Sequence, residues 1–229
     1  MEVPAGWDVN KNPWIATTRT NWMDEIFRTA FYQRHNVSLN SGSDTFANRL
    51  SFSYDNDEGI LQSTFNKNLA IHYNGKYQIN KWVSISEDFV WKNTENRTTA
   101  TNEGYTGPIL SAIYMPARAE AYSQFTESGF GGVTTQDPAY IAQYGSNFAD
   151  IHGDAVNPLN TLSSKNIFNR TSDTWSTTSL EVGNVIPGLK FVSRFTYNLQ
   201  SNLYKQFSPR RDEVGKPNNS NSLTESTYR

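Results

Sequence analysis

The chain has 229 residues, a formal net charge of −2, no cysteine, and an aromatic content of 14% made up of 12 Tyr, 13 Phe and 6 Trp. A near-neutral charge leaves no electrostatic footprint for nucleic acid, and the lack of cysteine removes disulfides, thiolate catalysis and Cys-based zinc sites together. No run in the sequence approaches the roughly 18 apolar residues of a membrane-crossing helix. That excludes a helical membrane protein but not a β-barrel, whose strands place an apolar residue only at every second position.

The opening "MEVPAGWDVNKNPW" has neither a basic n-region nor an apolar h-region, so no signal peptide is expected there. Residues 1–30 read as a connection into the first strand, with 22–29 predicted to make about two helical turns entered through Asn21. From there the pattern turns to period two. Residues 31–94 read as four strands, about 33–40, 46–55, 66–79 and 82–94. The third sets Leu69, Ile71, Tyr73, Gly75, Tyr77 and Ile79 against Asn68, Ala70, His72, Asn74, Lys76 and Gln78. Asn80-Lys81 supplies a hairpin turn. In the fourth strand Val83, Ile85, Phe89 and Trp91 share a face with Glu87, a charge out of place among apolar neighbours.

Regularity then stops over 95–172, a stretch rich in Gly, Asn, Thr and Pro with one short helix predicted inside 108–122. Two more strands are predicted within 173–207, joined by the turn "VIPG", and 208–229 reads as the start of another long loop. The connections therefore alternate short and long. With up-and-down neighbours, every short turn falls at one end of the sheet and every long loop at the other, as in transmembrane barrels. A soluble β-sandwich, possibly a carbohydrate-binding module, also alternates. Its strands usually run five or six residues, however, whereas at least three here run ten or more, the length that crosses a bilayer when tilted. The pattern favours an all-β, antiparallel, up-and-down transmembrane barrel of about six strands with one long extracellular loop. Arg49, His72, Lys76 and Arg194 are then lumen-facing, and Leu69, Ile71, Tyr73 and Tyr77 lipid-facing.

Several stretches in order resemble the SusC/RagA-type TonB-dependent outer-membrane transporters: Asn21-Trp22 with Asp24-Glu25-Ile26, His35-Asn36, Ser41 to Asp44, Asp57-Glu58-Gly59-Ile60, Asn157-Pro158-Leu159, and Pro187 to Phe191. Together they span residues 21 to about 207. The resemblance implies an outer-membrane barrel of about 22 strands that imports oligosaccharides or peptides, is powered by TonB and works with a SusD-like surface lipoprotein. The signal peptide, TonB-contacting box, plug and terminal strand of that family have no counterpart in these residues, and both ends look cut. An internal barrel fragment of a Gram-negative outer membrane is the expectation, touching TonB only through the plug it lacks.

Chemistry-bearing constellations are sparse. Asp150, His152 and Asp154 in "DIHGD" could hold calcium, but a polar loop opened by Gly153 is the simpler reading. No nucleophile elbow or Walker loop occurs, so neither catalytic residues nor a cofactor are expected. The aromatic residues of the long loop are better candidates. Tyr105, Tyr114, Tyr122, Tyr140 and Tyr144 offer flat amphipathic rings to a glycan, a peptide or a protein partner, or else pack the loop against itself.

Overall fold

The computed structural model describes residues 18–99, 107–117, 119–122, 129–131, 155–164, 166–208 and 221–229. Among them, seven antiparallel strands form one sheet in chain order: β1 (Tyr32–Gly42), β2 (Phe46–Glu58), β3 (Phe65–Gln78), β4 (Val83–Thr98), β5 (Asn166–Gly183), β6 (Lys190–Ser208) and β7 (Asn221–Tyr228). Each strand pairs with the next in sequence, without a crossover. The first six run 11, 13, 14, 16, 18 and 19 residues. All six reach or exceed the roughly 9–11 residues that span a bilayer at a tilt.

The expected strands are all present, with longer far ends: β4 runs to Thr98 and β5 starts at Asn166 rather than near 174. The sheet has seven strands where the pattern predicts about six. β7 lies in the stretch read as a loop start, because its sequence, NSLTESTY, shows no apolar alternation; it pairs with the end of β6.

Short connections 43–45, 79–82 and 184–189 gather at one end of the sheet, and the connections 59–64, 99–165 and 209–220 leave from the other. The tight turns follow from their residues. Asn80 Oδ1 accepts from the amides of Trp82 (2.9 Å) and Val83 (3.0 Å). In the third turn Asn184 and Gly188 take left-handed backbone, φ 62° and 82°, a region Gly enters freely and Asn tolerates.

Register fixes the faces. Val37–Phe52–Ile71–Trp91–Thr174–Leu199 is one continuous row, and Leu39–Leu50–Tyr73–Phe89–Ser176–Tyr197 the next. This face is apolar yet uncovered: Leu39 is 66% exposed, Phe191 62% and Phe195 68%. No second sheet exists among the described residues to cover it, so a sandwich core is not what this face builds.

The only buried hydrophobic cluster among the described residues lies instead at the long-connection end. It joins α1 (Trp22–Ile26), α2 (Pro108–Tyr114) and α3 (Pro158–Ser164) through Trp22, Ile26, Leu61, Ala112, Met115, Leu159 and Leu162. α1 is shorter than the 22–29 predicted, since Phe27 leaves the helix to bridge Leu61. α2 stops at Tyr114, two residues before Pro116, a residue that disfavours helical backbone just before it.

Candidate functional site

The polar face of the sheet is built by strand parity opposite the apolar rows. Lys76, Ser86, Ser179 and Arg194 form one row, Arg49, Asn74, Asp88 and Thr177 the next, and Ser51, His72, Val90 and Trp175 the third. All four cations expected on this face therefore lie in three successive rows, within the half nearer the short turns. Neighbouring strands are about 4.8 Å apart, so Lys76 and Arg194, three strands apart in one row, stand roughly 14 Å from one another.

Three cation–carboxylate pairs lie on this face. His72 Nε2 lies 2.8 Å from Asp88 Oδ1, Arg34 Nε 2.7 Å from Asp55 Oδ1, and Lys190 Nζ 2.8 Å from Glu181 Oε1. Arg49 donates to Ser51 Oγ at 3.3 Å. The sequence reading missed Asp88 and Trp175. Both follow from parity once the register is known: Trp175 is opposite Val90 and half exposed. Pairs of opposite charge among Ser, Thr and Asn make a wettable surface rich in hydrogen-bond donors and acceptors.

Glu87 keeps its place on the apolar face, because the ladder Gly75–Glu87–Thr178 continues without a bulge. Its carboxylate is satisfied from the next strand: Ser176 Oγ and Thr178 Oγ1 each donate to it at 2.5 Å, lengths typical of a hydroxyl on a carboxylate. Beside it, Gly75 lets the Tyr73 ring lie along its own strand and donate to Asn48 Oδ1 at 2.9 Å.

The second surface is the platform at the long-connection end. Here the motifs scattered through the sequence meet. Trp22 Nε1 donates to Pro116 O (3.0 Å), Thr20 Oγ1 to Ala119 O (2.6 Å), and Gln62 Nε2 to Glu25 O (2.6 Å). Asn157, fully buried, ties the platform together. Its Oδ1 caps α3 by accepting from the amides of Leu159 (2.9 Å) and Asn160 (3.3 Å), while its Nδ2 donates to Ala121 O (2.9 Å) and Gly131 O (2.7 Å).

Of the five tyrosines expected to meet a ligand or partner, Tyr114 and Tyr122 lie on this platform, and both are exposed; Tyr122 packs on Phe130 with centroids 5.8 Å apart. Tyr105, Tyr140 and Tyr144 lie outside the described residues, as do Asp150 and Asp154. Among the described residues no cluster of three or more His, Asp or Glu is placed to hold a metal, and no helix is long and apolar enough to cross a membrane.

An uncovered apolar face, a polar reverse face and segregated short and long connections define the wall of an up-and-down transmembrane β-barrel. No protein-family profile matches the chain. A 50-residue stretch, 22% of this chain and 5% of its relative, is 40% identical to the TonB-dependent receptor SusC of Bacteroides thetaiotaomicron. The fold is similar to that of the RagAB peptide transporter, with a TM-score of 0.62 at 13% identity, covering 83% of this chain and 20% of that one. It is equally similar to the RagAB peptide importer in its open-open state, with a TM-score of 0.62 at 12% identity over 83% of this chain. The chain thus spans about a fifth of the length of the solved structures it matches. The local sequence identity to SusC, the barrel-wall fold shared with the RagAB structures and the motif resemblance agree with one another.

Proposed function

We propose that this chain works as part of a TonB-dependent outer-membrane importer of oligosaccharides or peptides, together with a SusD-like surface lipoprotein. The observation that carries the reading is the division of one sheet into an uncovered apolar face and a polar face rich in charge, which separates lipid from an aqueous path. Arg49, His72, Lys76 and Arg194 line that path. The long loop read in the sequence as 95–172, which the strands narrow to 99–165, faces outward, and Tyr105, Tyr114, Tyr122, Tyr140 and Tyr144 offer rings to the solute or to the lipoprotein. The exposure of Tyr114 and Tyr122 beside Ile113 on a rigidly packed platform supports this assignment. SusC carries the name of a TonB-dependent receptor and RagAB that of a peptide transporter. The polar face, with paired charges among hydroxyls and amides, suits a peptide and a sugar alike.

The test is uptake by cells carrying the tagged chain. Labelled oligosaccharides and labelled peptides are supplied separately, with and without TonB, and the tagged protein is extracted from outer membranes in mild detergent. TonB-dependent uptake of one solute class and co-purification of a surface lipoprotein are expected, with uptake impaired by Arg49→Glu together with Arg194→Glu. Recovery of the chain in the soluble fraction, with no solute taken up, would overturn the proposal.

A further inference from the structure

Beyond Leu69 and Trp91, toward the long connections, the apolar face ends in a grid of cations and rings. One row reads Phe65–Arg97–Phe168–Lys205 and the next Lys67–Glu95–Arg170–Leu203. By parity all eight share the face of Ile71 and Trp91. With strands about 4.8 Å apart, the four cations fall within roughly 15 Å. The grid's one carboxylate, Glu95, is held by Arg170 Nε at 2.7 Å. Glu58, at the β2 margin, is 3.5 Å from Arg28. Among the described residues no carboxylate pairs with Lys67, Arg97 or Lys205.

On the polar face Arg34, His72 and Lys190 each have an acidic partner. Two of the cations are set over rings: Lys67 Nζ stands 5.0 Å from the Phe65 centroid and Arg170 Cζ 5.6 Å from that of Phe168. Such pairs hold the charged ends against an amphipathic boundary instead of letting them reach freely into water. Arg97 is anchored by a bond from Nη2 to Leu162 O at 3.4 Å, which spends one of its five donors.

We propose that this grid binds the phosphorylated headgroup of an outer-leaflet glycolipid. Long loops mark the external end of such a barrel, so a basic belt just beyond the apolar rows on the outward face stands level with the outer headgroups. Lys67, Arg97, Arg170 and Lys205 supply the positive charge that a phosphate needs, and Arg adds planar paired donors for its oxygens. Phe65 and Phe168, interleaved with the cations, give the attached sugars flat apolar faces to lie on. The inference rests on the reading that the apolar face meets lipid.

The test uses the full chain extracted from outer membranes in mild detergent, with bound lipid counted by native mass spectrometry. The probes are bisphosphorylated lipid A, its dephosphorylated form, and phosphatidylglycerol. Retention of the phosphorylated glycolipid over the other two by about tenfold or more is expected, given roughly 1 kcal/mol per basic residue at a membrane surface. Lys67→Gln combined with Lys205→Gln, which spares the Arg170–Glu95 pair and the Arg97 anchor, should lose most of that preference. Lys76→Gln with Arg194→Gln, on the other face, should keep it. Equal retention of the three lipids, or undiminished retention by the Lys67/Lys205 variant, overturns the inference while leaving the barrel intact. Recovery of the chain outside the membrane fraction would overturn both this inference and the proposed function.

Discussion

Truncating Asn157 to alanine should open the platform while leaving the sheet whole. The side chain is fully buried and makes four hydrogen bonds. Asn157→Ala removes the cap of α3, worth about 1 kcal/mol. It also leaves the buried carbonyl of Gly131 without its donor, at about 1–3 kcal/mol, whereas that of Ala121 keeps the amide of Gly131 at 3.1 Å. The expected loss is about 2–4 kcal/mol, confined to the unit that Asn157 joins. Asn157→Ser keeps a capping oxygen and should cost about 1 kcal/mol less. Native-state hydrogen exchange read by mass spectrometry in detergent separates the two regions. Amides of 107–117, 119–122 and 155–164 should exchange faster, with those of β2 to β6 unchanged. A platform that exchanges as slowly as the wild type, or strands that loosen equally, would refute the assignment of Asn157 as the local tie.

Three further experiments probe the outer face, with a polar-face control in the first. Ile71→Arg, in the middle of the apolar rows, should reduce membrane insertion by about 2–4 kcal/mol, measured as the fraction folded into vesicles; Ser51→Arg, on the polar face, should be nearly neutral by the same measure. A Cβ on Gly75 would stand 2.3 Å from the Tyr73 hydroxyl oxygen and 2.9 Å from Asn48 Oδ1. Gly75→Ala should therefore displace the ring and its hydrogen bond for about 1 kcal/mol. Combined with Tyr73→Phe in a denaturant titration, its cost should be less than additive. Ser176→Ala with Thr178→Val strips Glu87 of both donors; a loss of about 2–4 kcal/mol is expected, largely relieved by adding Glu87→Gln, and no change on removing the hydroxyls would contradict the pairing.

The two faces of the sheet were legible in the sequence because strand side chains alternate with a period of two, so Leu69, Ile71 and Tyr73 declare their side without any knowledge of partners. What depends on register was not. Glu87 looks misplaced on its own strand; its donors Ser176 and Thr178 lie 89 and 91 residues away. β7 escaped because a strand held by backbone pairing, with Leu223 and Tyr228 on opposite faces, carries no alternating signal. The platform was visible only as disconnected motifs. Asn21-Trp22, Gly59-Ile60 and Asn157-Pro158-Leu159 carry no periodicity, yet Trp22, Leu159 and Leu61, next to Ile60, converge on one small core; the family resemblance marks these stretches in the sequence, but only the fold shows their joint role. Arg49, His72, Lys76 and Arg194 followed from parity alone, whereas the partners of His72 and the position of Trp175 needed the strand register.

The chain's freedom from cysteine allows the central claim, that one face of this sheet meets lipid and the other water, to be measured directly. Ala70 and Ile71 are adjacent in β3 and point to opposite faces. Ala70→Cys and Ile71→Cys, placed singly, are to be exposed to a membrane-impermeant maleimide in intact outer-membrane vesicles. The thiol at 70 should be labelled, and the thiol at 71 should stay protected until detergent strips the lipid. Labelling at 71 as fast as at 70 in intact vesicles, or protection at 70 with labelling at 71, would contradict that claim.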